Sequence, residues 1–431
     1  MSALNEMSAA ELTVLIQTLE EEYQAFKAQG LHLSMARGKP APEQLDLLTD
    51  MYYVLNSDNV ITDEGIDARN YGNLDGLPEA KKLFAKLLDV EPEQVIIGGN
   101  SSLNMMYDLM LRAMYFGVLG SKEPWSKAEG GAKFLCPVPG YDRHFSVCEA
   151  LGLKMINIPM RADGPDMDLI ERLVAADASI KGVWCVPQYS NPQGITYSDE
   201  VVERFAKLKP AASDFRIFWD NAYFLHTFRG EPARVKNIIS ECEKAGNPNL
   251  VYEFASTSKI TFPGAGVALV AASTENIAFI KSQMQYQTIS ADKMNQLRHV
   301  LYLRDERGVA DLMKKHAKLI EPKFELVLSK LADALGESGV AKWENPDGGY
   351  FISLDVMDGC AGEIIAMAAG AGVELTPAGS AFPYHQDPND SNIRIAPTFP
   401  NLEELEKAAD LLCVCVKLVC ARKLLAAKQS A

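Results

Sequence analysis

The chain has 431 residues, more than one hydrophobic core usually accommodates, so we expect two packed units. With 48% hydrophobic and 23% charged residues, the composition is that of a globular protein and excludes a chain that is mainly disordered. The formal net charge of −15 would repel a phosphate backbone, which argues against a nucleic-acid partner.

The predicted elements begin with a helix. Ser8 and Glu11 have the spacing of a capping box, and apolar residues then recur every three or four positions from Leu12 to Phe26. From about residue 94 to residue 271, short apolar runs alternate with helical patterns, which predicts a mostly parallel sheet with helices on both faces. The predicted strands are residues 95–97, 134–136, 155–158, 183–186, 217–219, 251–254 and 267–271.

Beyond Asp292 the pattern changes to long helices that continue to about residue 335. A strand pattern follows at 349–354, then a second strand pair near residues 373–375 and 392–395, and a final helix from about residue 402. This half fits a smaller α+β unit. The polar stretch 384–391 is interpreted as a surface loop.

Cysteine usage and the lack of targeting patterns bear on where in the cell the protein is expected, and both favour the cytoplasm. The eight cysteines lie mostly in apolar runs without a CxxC pair, so free buried thiols in a reducing cytoplasm are expected. The amino terminus lacks the pattern of a signal peptide, and no stretch approaches the ~20 apolar residues of a membrane helix. The six histidines include no pair at metal-ligand spacing. We therefore predict a cytoplasmic protein with neither a membrane partner nor a metal site.

Polar residues follow several of the predicted strands, where open parallel sheets bind their ligands. Ser101 and Ser102 follow the first strand and start a helical pattern, so backbone N–H groups and the helix dipole could hold a phosphate there. A glycine turn with a serine cap is the simpler alternative. Asn191 follows the fourth predicted strand, and a turn is the simpler interpretation of its surroundings.

Two further strand ends carry ionisable residues. Asp220 follows residues 217–219, with Tyr223 three positions later; its carboxylate could meet a cationic ring nitrogen or could cap the next segment. Lys259 follows the strand at 251–254, where loss of water would lower the pKa of its amine and leave a nucleophile able to form a Schiff base. An exposed surface lysine is the alternative.

Together, these motifs resemble those of fold-type I aminotransferases that depend on pyridoxal 5′-phosphate. The shared order is Tyr, phosphate loop, aromatic, Asn-Pro, Asp-x-x-Tyr, Ser-x-Ser-Lys and a late Arg, and the resemblance extends from Arg37 to Pro397. Within that group the chain is most similar to the divergent bacterial aspartate aminotransferases related to the MocR-type aminotransferase domain.

The resemblance implies an α/β fold with a large domain, in which a mostly parallel seven-stranded sheet lies between helices, and a smaller α+β domain. Residues 46–300 would form the large cofactor-binding domain and residues 301–431 the carboxyl-terminal small domain. Residues 1–45, an amino-terminal helix and arm, would join the small domain.

The resemblance also implies roles for individual residues. Lys259 would form the internal aldimine and move the substrate α proton, Asp220 would hold the pyridinium proton, and Tyr223 with Asn191 would bind the ring's 3′ oxygen. Tyr141 would stack on the ring. The implied phosphate ligands are Ser101, Ser102, Ser256, Ser258 and, from the neighbouring subunit of a homodimer, Tyr71. The implied substrate contacts are Gly38, Asn191 and Arg394, whose planar fork would grip the α-carboxylate.

One position departs from the family pattern. The family has an arginine a few residues after the lysine to balance the phosphate, whereas residues 260–266 contain none. Hydroxyls, backbone N–H groups, Tyr71 or a cation from elsewhere would then hold the phosphate. The candidate cations for a substrate side-chain carboxylate are Lys39, Lys293 and Arg143.

The implied activity is transfer of an amino group between an amino acid, aspartate or glutamate, and a 2-oxo acid, 2-oxoglutarate or oxaloacetate. A lyase or decarboxylase that uses the same cofactor is an alternative, because the lysine motif does not separate transfer from elimination. A MocR-like ligand-sensing domain is a second alternative. Against it, only about forty residues precede the motifs, too few for a winged-helix domain, and that segment is acidic where such a domain is basic.

Overall fold

A computed structural model describes residues 3–430; Met1, Ser2 and Ala431, which belong to the predicted terminal segments, lie outside the described residues. The helices are α1 (Ala9–Ala28), α2 (Pro42–Asp46), α3 (Pro78–Leu88), α4 (Ser102–Phe116), α5 (Asp142–Ala150), α6 (Met167–Ala176), α7 (Asp199–Ala206), α8 (Ile238–Lys244), α9 (Thr274–Met284), α10 (Lys293–Leu303), α11 (Glu306–Leu335), α12 (Ala361–Gly370) and α13 (Leu402–Ser430). The strands are β1 (Leu33–Ser34), β2 (Val95–Ile97), β3 (Lys133–Val138), β4 (Lys154–Arg161), β5 (Gly164–Pro165), β6 (Ile180–Cys185), β7 (Arg216–Asp220), β8 (Val251–Ser256), β9 (Ala268–Ala271), β10 (Ala341–Trp343), β11 (Ile352–Val356), β12 (Val373–Glu374) and β13 (Asn392–Ile395).

The large sheet has the strand order β2-β9-β8-β7-β6-β3-β4-β5. Strands β4, β3, β6, β7 and β8 are parallel to their neighbours in that series, whereas β9 is antiparallel to both β2 and β8. All seven predicted strands are present. The eighth, β5, has two residues and turns back antiparallel against the end of β4, too short for a period-two pattern to reveal it.

The central strands have apolar side chains on both faces of the sheet, because successive side chains pack into two different apolar clusters. On β7, Ile217 and Trp219 pack into one apolar cluster, while Phe218 packs into the cluster on the other face. On β8, Val251 and Phe254 are divided in the same way. Because successive side chains of a strand point to opposite faces, a nearly continuous apolar run is needed where helices cover both sides.

The carboxyl-terminal half has a second, three-stranded antiparallel sheet in the order β10-β11-β13. The prediction that residues near 373–375 and 392–395 form a strand pair is wrong. Strand β12 instead pairs in parallel with β1, and β13 pairs with β11. The two-residue strands β1 and β12 are too short for their sequence to specify a partner.

Helix α1 begins with the predicted capping box, in which the Ser8 hydroxyl accepts from the Glu11 N–H group and the Glu11 carboxylate accepts from the Ser8 N–H group. Apolar residues of α1 lie against α13, and α11 also packs against α13. The amino-terminal helix therefore packs on the carboxyl-terminal half of the chain. Among residues 3–430, no helix is long and apolar enough to cross a bilayer.

Candidate active site

A cavity of about 670 Å³ lies at the carboxyl ends of β2, β3, β6, β7 and β8, where the small sheet and the segment after β1 face the large sheet. The cavity is lined by every predicted site residue except Tyr71, namely Gly38, Ser101, Ser102, Tyr141, Asn191, Asp220, Tyr223, Ser256, Ser258, Lys259 and Arg394. Sequence positions as distant as 38 and 394 thus meet in one place.

Asp220 ends β7 and is buried at the base of the cavity. Its Oδ2 accepts a hydrogen bond from Nε2 of His144 at 3.0 Å. The His144 ring stacks on Trp184 with the centroids 4.2 Å apart, which fixes the orientation of the imidazole. The other oxygen, Oδ1, is buried and has no hydrogen-bond partner among the described residues. A buried acceptor without a donor is costly, so this oxygen fits a protonated ring nitrogen entering the cavity.

His144 is the main functional residue that was not predicted from the sequence, because the histidines were considered only for metal-ligand spacing. The available signal was spacing. Tyr141 immediately precedes α5 and His144 lies within its first turn, so both rings can approach the same side, and their centroids are 5.0 Å apart.

Lys259 follows β8 in the tight segment that begins with Ser256. Burial lowers the pKa of its amine, and Asp220 acts in the opposite direction. Nζ lies 5.4 Å from the ring centroid of Tyr223 and 5.5 Å from that of Tyr350. The half-buried amine is therefore flanked by two aromatic rings and shares the cavity with the Asp220 carboxylate.

Two buried imidazoles hold the backbone around Lys259. Nε2 of His226 donates to the Lys259 carbonyl at 3.3 Å, and Nε2 of His316 donates to the Ile260 carbonyl at 3.0 Å. Burial lowers the pKa of His226 to about 3 and also lowers the pKa of His316, so both rings are neutral at pH 7. Gln44 donates to Nδ1 of His316 and to the Tyr350 hydroxyl, both at 3.1 Å, which joins these groups into one network.

Hydroxyls and a helix terminus form another part of the cavity. Ser101 precedes α4 without a side-chain capping bond, so its hydroxyl and the first N–H groups of α4 are available to an anion. Ser256 donates to the Ser258 hydroxyl at 3.1 Å. No arginine lies between Lys259 and Gly266, as the sequence indicated. This donor set fits a phosphate held by hydroxyls and N–H groups.

Arg394 lies on β13, and its side chain is only 7% exposed. Its Nη1 is 2.8 Å from Oδ1 of Asp142 and 3.4 Å from Oδ1 of Asn191, and its Nε is 3.3 Å from the Thr376 hydroxyl. The guanidinium carbon is 4.9 Å from the ring centroid of Phe351. The contact with Asp142 was not predicted.

Gly38 lies close to the same ring. A Cβ built at Gly38 would be 2.6 Å from Cζ of Phe351, so any side chain there would displace the ring that covers Arg394. Close approach therefore explains the glycine at this lining position.

Tyr71 lies outside the cavity, with 79% of its surface exposed. Its backbone is held by Lys293, which is only 3% exposed and whose Nζ donates to the Tyr71 carbonyl at 3.1 Å. The Tyr71 loop is thus fixed in place while its side chain contacts nothing within the described chain that would bury it.

The candidate cations for a second carboxylate are placed differently. Lys39 and Arg143 line the cavity and are exposed, and the ammonium of Lys39 is 3.7 Å from the Phe399 ring centroid. Arg37, which the sequence interpretation did not weigh, lines the cavity as well. Lys293 does not line it, because its amine is engaged by the Tyr71 loop.

Comparison with known proteins identifies a family. A sequence model of the family described as aspartate amino-transferase matches residues 7–429. An aspartate aminotransferase from Corynebacterium glutamicum is 44% identical over 419 residues, which cover 97% of this chain and 96% of the relative. The crystal structure of an aspartate transaminase from the same species has a TM-score of 0.95 and 43% identity, covering 98% of this chain and 99% of that chain.

A more distant structure shares the fold. An α-aminoadipate aminotransferase from Thermus thermophilus, in complex with N-(5′-phosphopyridoxyl)-L-leucine, has a TM-score of 0.74 and 20% identity. The match covers 92% of this chain and 95% of that chain. At this identity the likeness establishes the type of fold, including the large parallel sheet and the smaller domain.

Proposed function

The chain belongs to the aspartate aminotransferase family, and from that membership we propose that it transfers the amino group of aspartate or glutamate to 2-oxoglutarate or oxaloacetate at the Lys259 cavity. As an aminotransferase it takes amino acid and 2-oxo acid substrates. The observation that carries the proposal is the meeting of a half-buried lysine amine, a buried carboxylate with one unpartnered oxygen and a buried guanidinium in one cavity.

We propose pyridoxal 5′-phosphate as the cofactor. When bound, it supplies an aldehyde that combines with amines and a ring that accepts electrons from the substrate α-carbon. Asp220 would hold the proton of the ring nitrogen through its unpartnered Oδ1, and His144, which hydrogen-bonds Oδ2, would keep the carboxylate oriented. Tyr141 would cover the ring, and Tyr223 and Asn191 would bind its 3′ oxygen.

Lys259 would hold the cofactor through its amine and, once displaced by substrate, carry the α proton on Nζ. A base must be unprotonated to accept a proton, and the lowered pKa of Lys259 increases the neutral fraction at pH 7. The neutral His226 and His316 rings fix the peptide groups on either side of the reacting lysine. The Lys259 side chain can thus move while its backbone stays in place.

For the phosphate we propose Ser101, Ser102, Ser256 and Ser258 together with the first N–H groups of α4. The free capping position of Ser101 supports this assignment. The remaining charge would be met by Tyr71 of a second copy of the chain. The exposed Tyr71 side chain on a loop anchored by Lys293 supports a homodimer in which each copy completes the other's site.

We also propose that residues 46–300 form the cofactor-binding domain and that residues 1–45 and 301–431 form the small domain. The pairing of β1 with β12 and the packing of α1 on α13 support the shared small domain. A cytoplasmic location is proposed because all eight cysteines are unpaired and buried.

Mixing two inactive variants tests whether Tyr71 acts across the dimer. If it does, reassociated Tyr71→Ala and Lys259→Ala chains should regain about a quarter of the wild-type activity. Half of randomly paired dimers are mixed, and one of the two sites in each mixed dimer then has both groups. The measurement is the rate after mixing at saturating cofactor, with mixed dimers verified by two affinity tags.

The matched control for this mixing experiment is Lys259→Ala with Asp220→Asn. Both residues line the cavity of their own chain, so mixing these variants should restore nothing beyond the parents. Verified mixed dimers of the Tyr71 and Lys259 variants that remain inactive would show that Tyr71 serves its own subunit or no site.

A preference for dicarboxylic amino acids is the second expected result. A second carboxylate in the cavity needs a cation as partner, and the exposed residues Arg143 and Lys39 line the cavity. For the wild-type enzyme, kcat/KM with aspartate or glutamate should be well above kcat/KM with alanine or leucine. Arg143→Ala or Lys39→Ala should lower the aspartate to alanine ratio by roughly 10–100-fold, the usual scale for losing one partner of a desolvated charge pair.

Two controls accompany these substitutions. Lys122→Ala removes an exposed lysine outside the cavity and should leave the ratio unchanged. Lys293→Ala should lower activity with all substrates together, because its amine holds the Tyr71 loop. If the ratio survives both Lys39→Ala and Arg143→Ala, or if neutral amino acids are preferred, the dicarboxylate assignment is wrong and aminotransferase activity stands.

A further inference from the structure

The ion pair between Asp142 and Arg394 has no role in the chemistry described above. Oδ1 of Asp142 lies 2.8 Å from Nη1 of Arg394, and the Asp142 side chain is 25% exposed. Asn191 also accepts from Nη1, and Thr376 accepts from Nε. Among the described residues, Nη2 has no hydrogen-bond partner. Arg394 therefore has only one nitrogen fully free.

This arrangement conflicts with the grip that a carboxylate requires. A guanidinium binds a carboxylate best through two parallel N–H bonds from two nitrogens. With Nε engaged by Thr376 and Nη1 engaged by Asp142 and Asn191, an incoming carboxylate can reach only Nη2. A two-nitrogen grip on Arg394 thus requires Asp142 to leave Nη1.

Asp142 is placed so that it can leave. It is the first residue of α5, where the helix dipole favours a negative charge even without the arginine. Its partial exposure gives the released carboxylate access to water. Arg394, in contrast, is buried, and a buried guanidinium without a counter-charge is strongly unfavourable. One anion must therefore pair with Arg394 at all times.

We propose that Asp142 is an internal competitor that occupies Arg394 until the α-carboxylate of the substrate displaces it. This proposal rests on the proposed role of Arg394 in substrate binding. The exchange lowers the affinity for every carboxylate by the same factor. A ligand with one carboxylate then binds weakly, and a ligand with a second cation contact recovers the loss. Asp142 thereby sets the affinity of the site for carboxylates as well as its charge balance.

The test compares Asp142→Asn with wild-type holoenzyme, using acetate and succinate as non-reacting probes. Removing the competing charge should tighten acetate binding by about 10-fold or more, because Arg394 then has no resident anion. Dissociation constants are measured by calorimetry at fixed pH and ionic strength. The ligand-free variant should also have a lower Tm than wild type, and succinate should close that gap through preferential binding to the folded state.

Two further variants separate competition from orientation. Asp142→Glu retains a carboxylate and should keep acetate binding weak, as in wild type. Glu149→Gln removes an exposed charge from the same helix, outside the cavity, and should change neither acetate binding nor Tm. If Asp142 merely orients Arg394, both Asp142→Asn and Asp142→Ala will bind acetate equally or more weakly, which would overturn the proposal.

Failure of this proposal is distinguishable from failure of the proposed function. Wild-type enzyme that transaminates and carries a pyridoxyl label on Lys259 after borohydride reduction, but whose Asp142→Asn variant binds acetate unchanged, contradicts only the competitor role. Wild-type protein that neither transaminates nor takes the label contradicts the function itself.

Discussion

Replacing Lys259 by alanine should lower kcat for transamination by at least about 10⁴-fold, because one side chain both holds the cofactor and carries the α proton. The loss should persist at saturating cofactor, since added cofactor restores occupancy of the site but not the base. After borohydride reduction and peptide mapping, wild-type protein should carry the pyridoxyl group on Lys259. Label on another lysine, or no label, would contradict the site assignment.

Two controls show that the loss is local. Lys122→Ala should retain wild-type kcat and labelling, because Lys122 is exposed and does not line the cavity. The Lys259→Ala protein should unfold at a Tm close to that of wild-type apoenzyme, since Nζ forms no hydrogen bond within the described residues. A variant that loses both activity and cooperative unfolding would say nothing about the base. Tm is therefore measured for every variant whose rate is measured.

The same amine gives the pH dependence its direction. Burial lowers the pKa of Lys259, so its neutral, proton-accepting form is populated at a lower pH than that of an exposed lysine. The rate limb that belongs to this group should rise with pH and level off below the usual lysine range. His226 donates to the Lys259 carbonyl. Replacing His226 would therefore alter the backbone position of Lys259 without supplying another base.

Local signals allowed much of the site to be predicted from sequence. Each of Asp220, Ser256 and Lys259 follows or ends a short apolar run, and the ends of parallel strands meet at one edge of a sheet. The runs were recognisable because a strand covered on both faces is apolar throughout. Spacing and residue type at these ends were then sufficient to indicate the family and its cofactor.

The remaining features depend on contacts between distant parts of the chain. The Asp142–Arg394 pair joins residues 252 positions apart, and nothing near Asp142 distinguishes it from a residue that starts a helix. Gln44 reaches Tyr350 and His316 from a short helix whose sequence has no strong pattern. The partners of β12 were mistaken because pairing of two-residue strands is decided by the packing around them.

Replacing Arg394 by lysine should lower kcat/KM for all amino acids together by about 2–4 kcal/mol, or roughly 30–1,000-fold. The reason is geometry, since both side chains are cationic. Arg394 contacts Asp142, Asn191 and Thr376 through a planar fork and still presents Nη2, whereas a lysine has one nitrogen for all of these partners. The measurement is kcat/KM for aspartate, glutamate and alanine in the same buffer.

The contrast with Arg143→Lys makes this last result decisive. Arg143 is exposed and lies beside Asp142 at the cavity wall, so the conservative change there should affect dicarboxylic substrates and leave alanine unchanged. Since every amino acid has an α-carboxylate, loss at Arg394 must extend to alanine if Arg394 binds that group. A loss at Arg394 confined to aspartate and glutamate would reverse the two assignments, placing the side-chain carboxylate at β13 and the α-carboxylate elsewhere in the cavity.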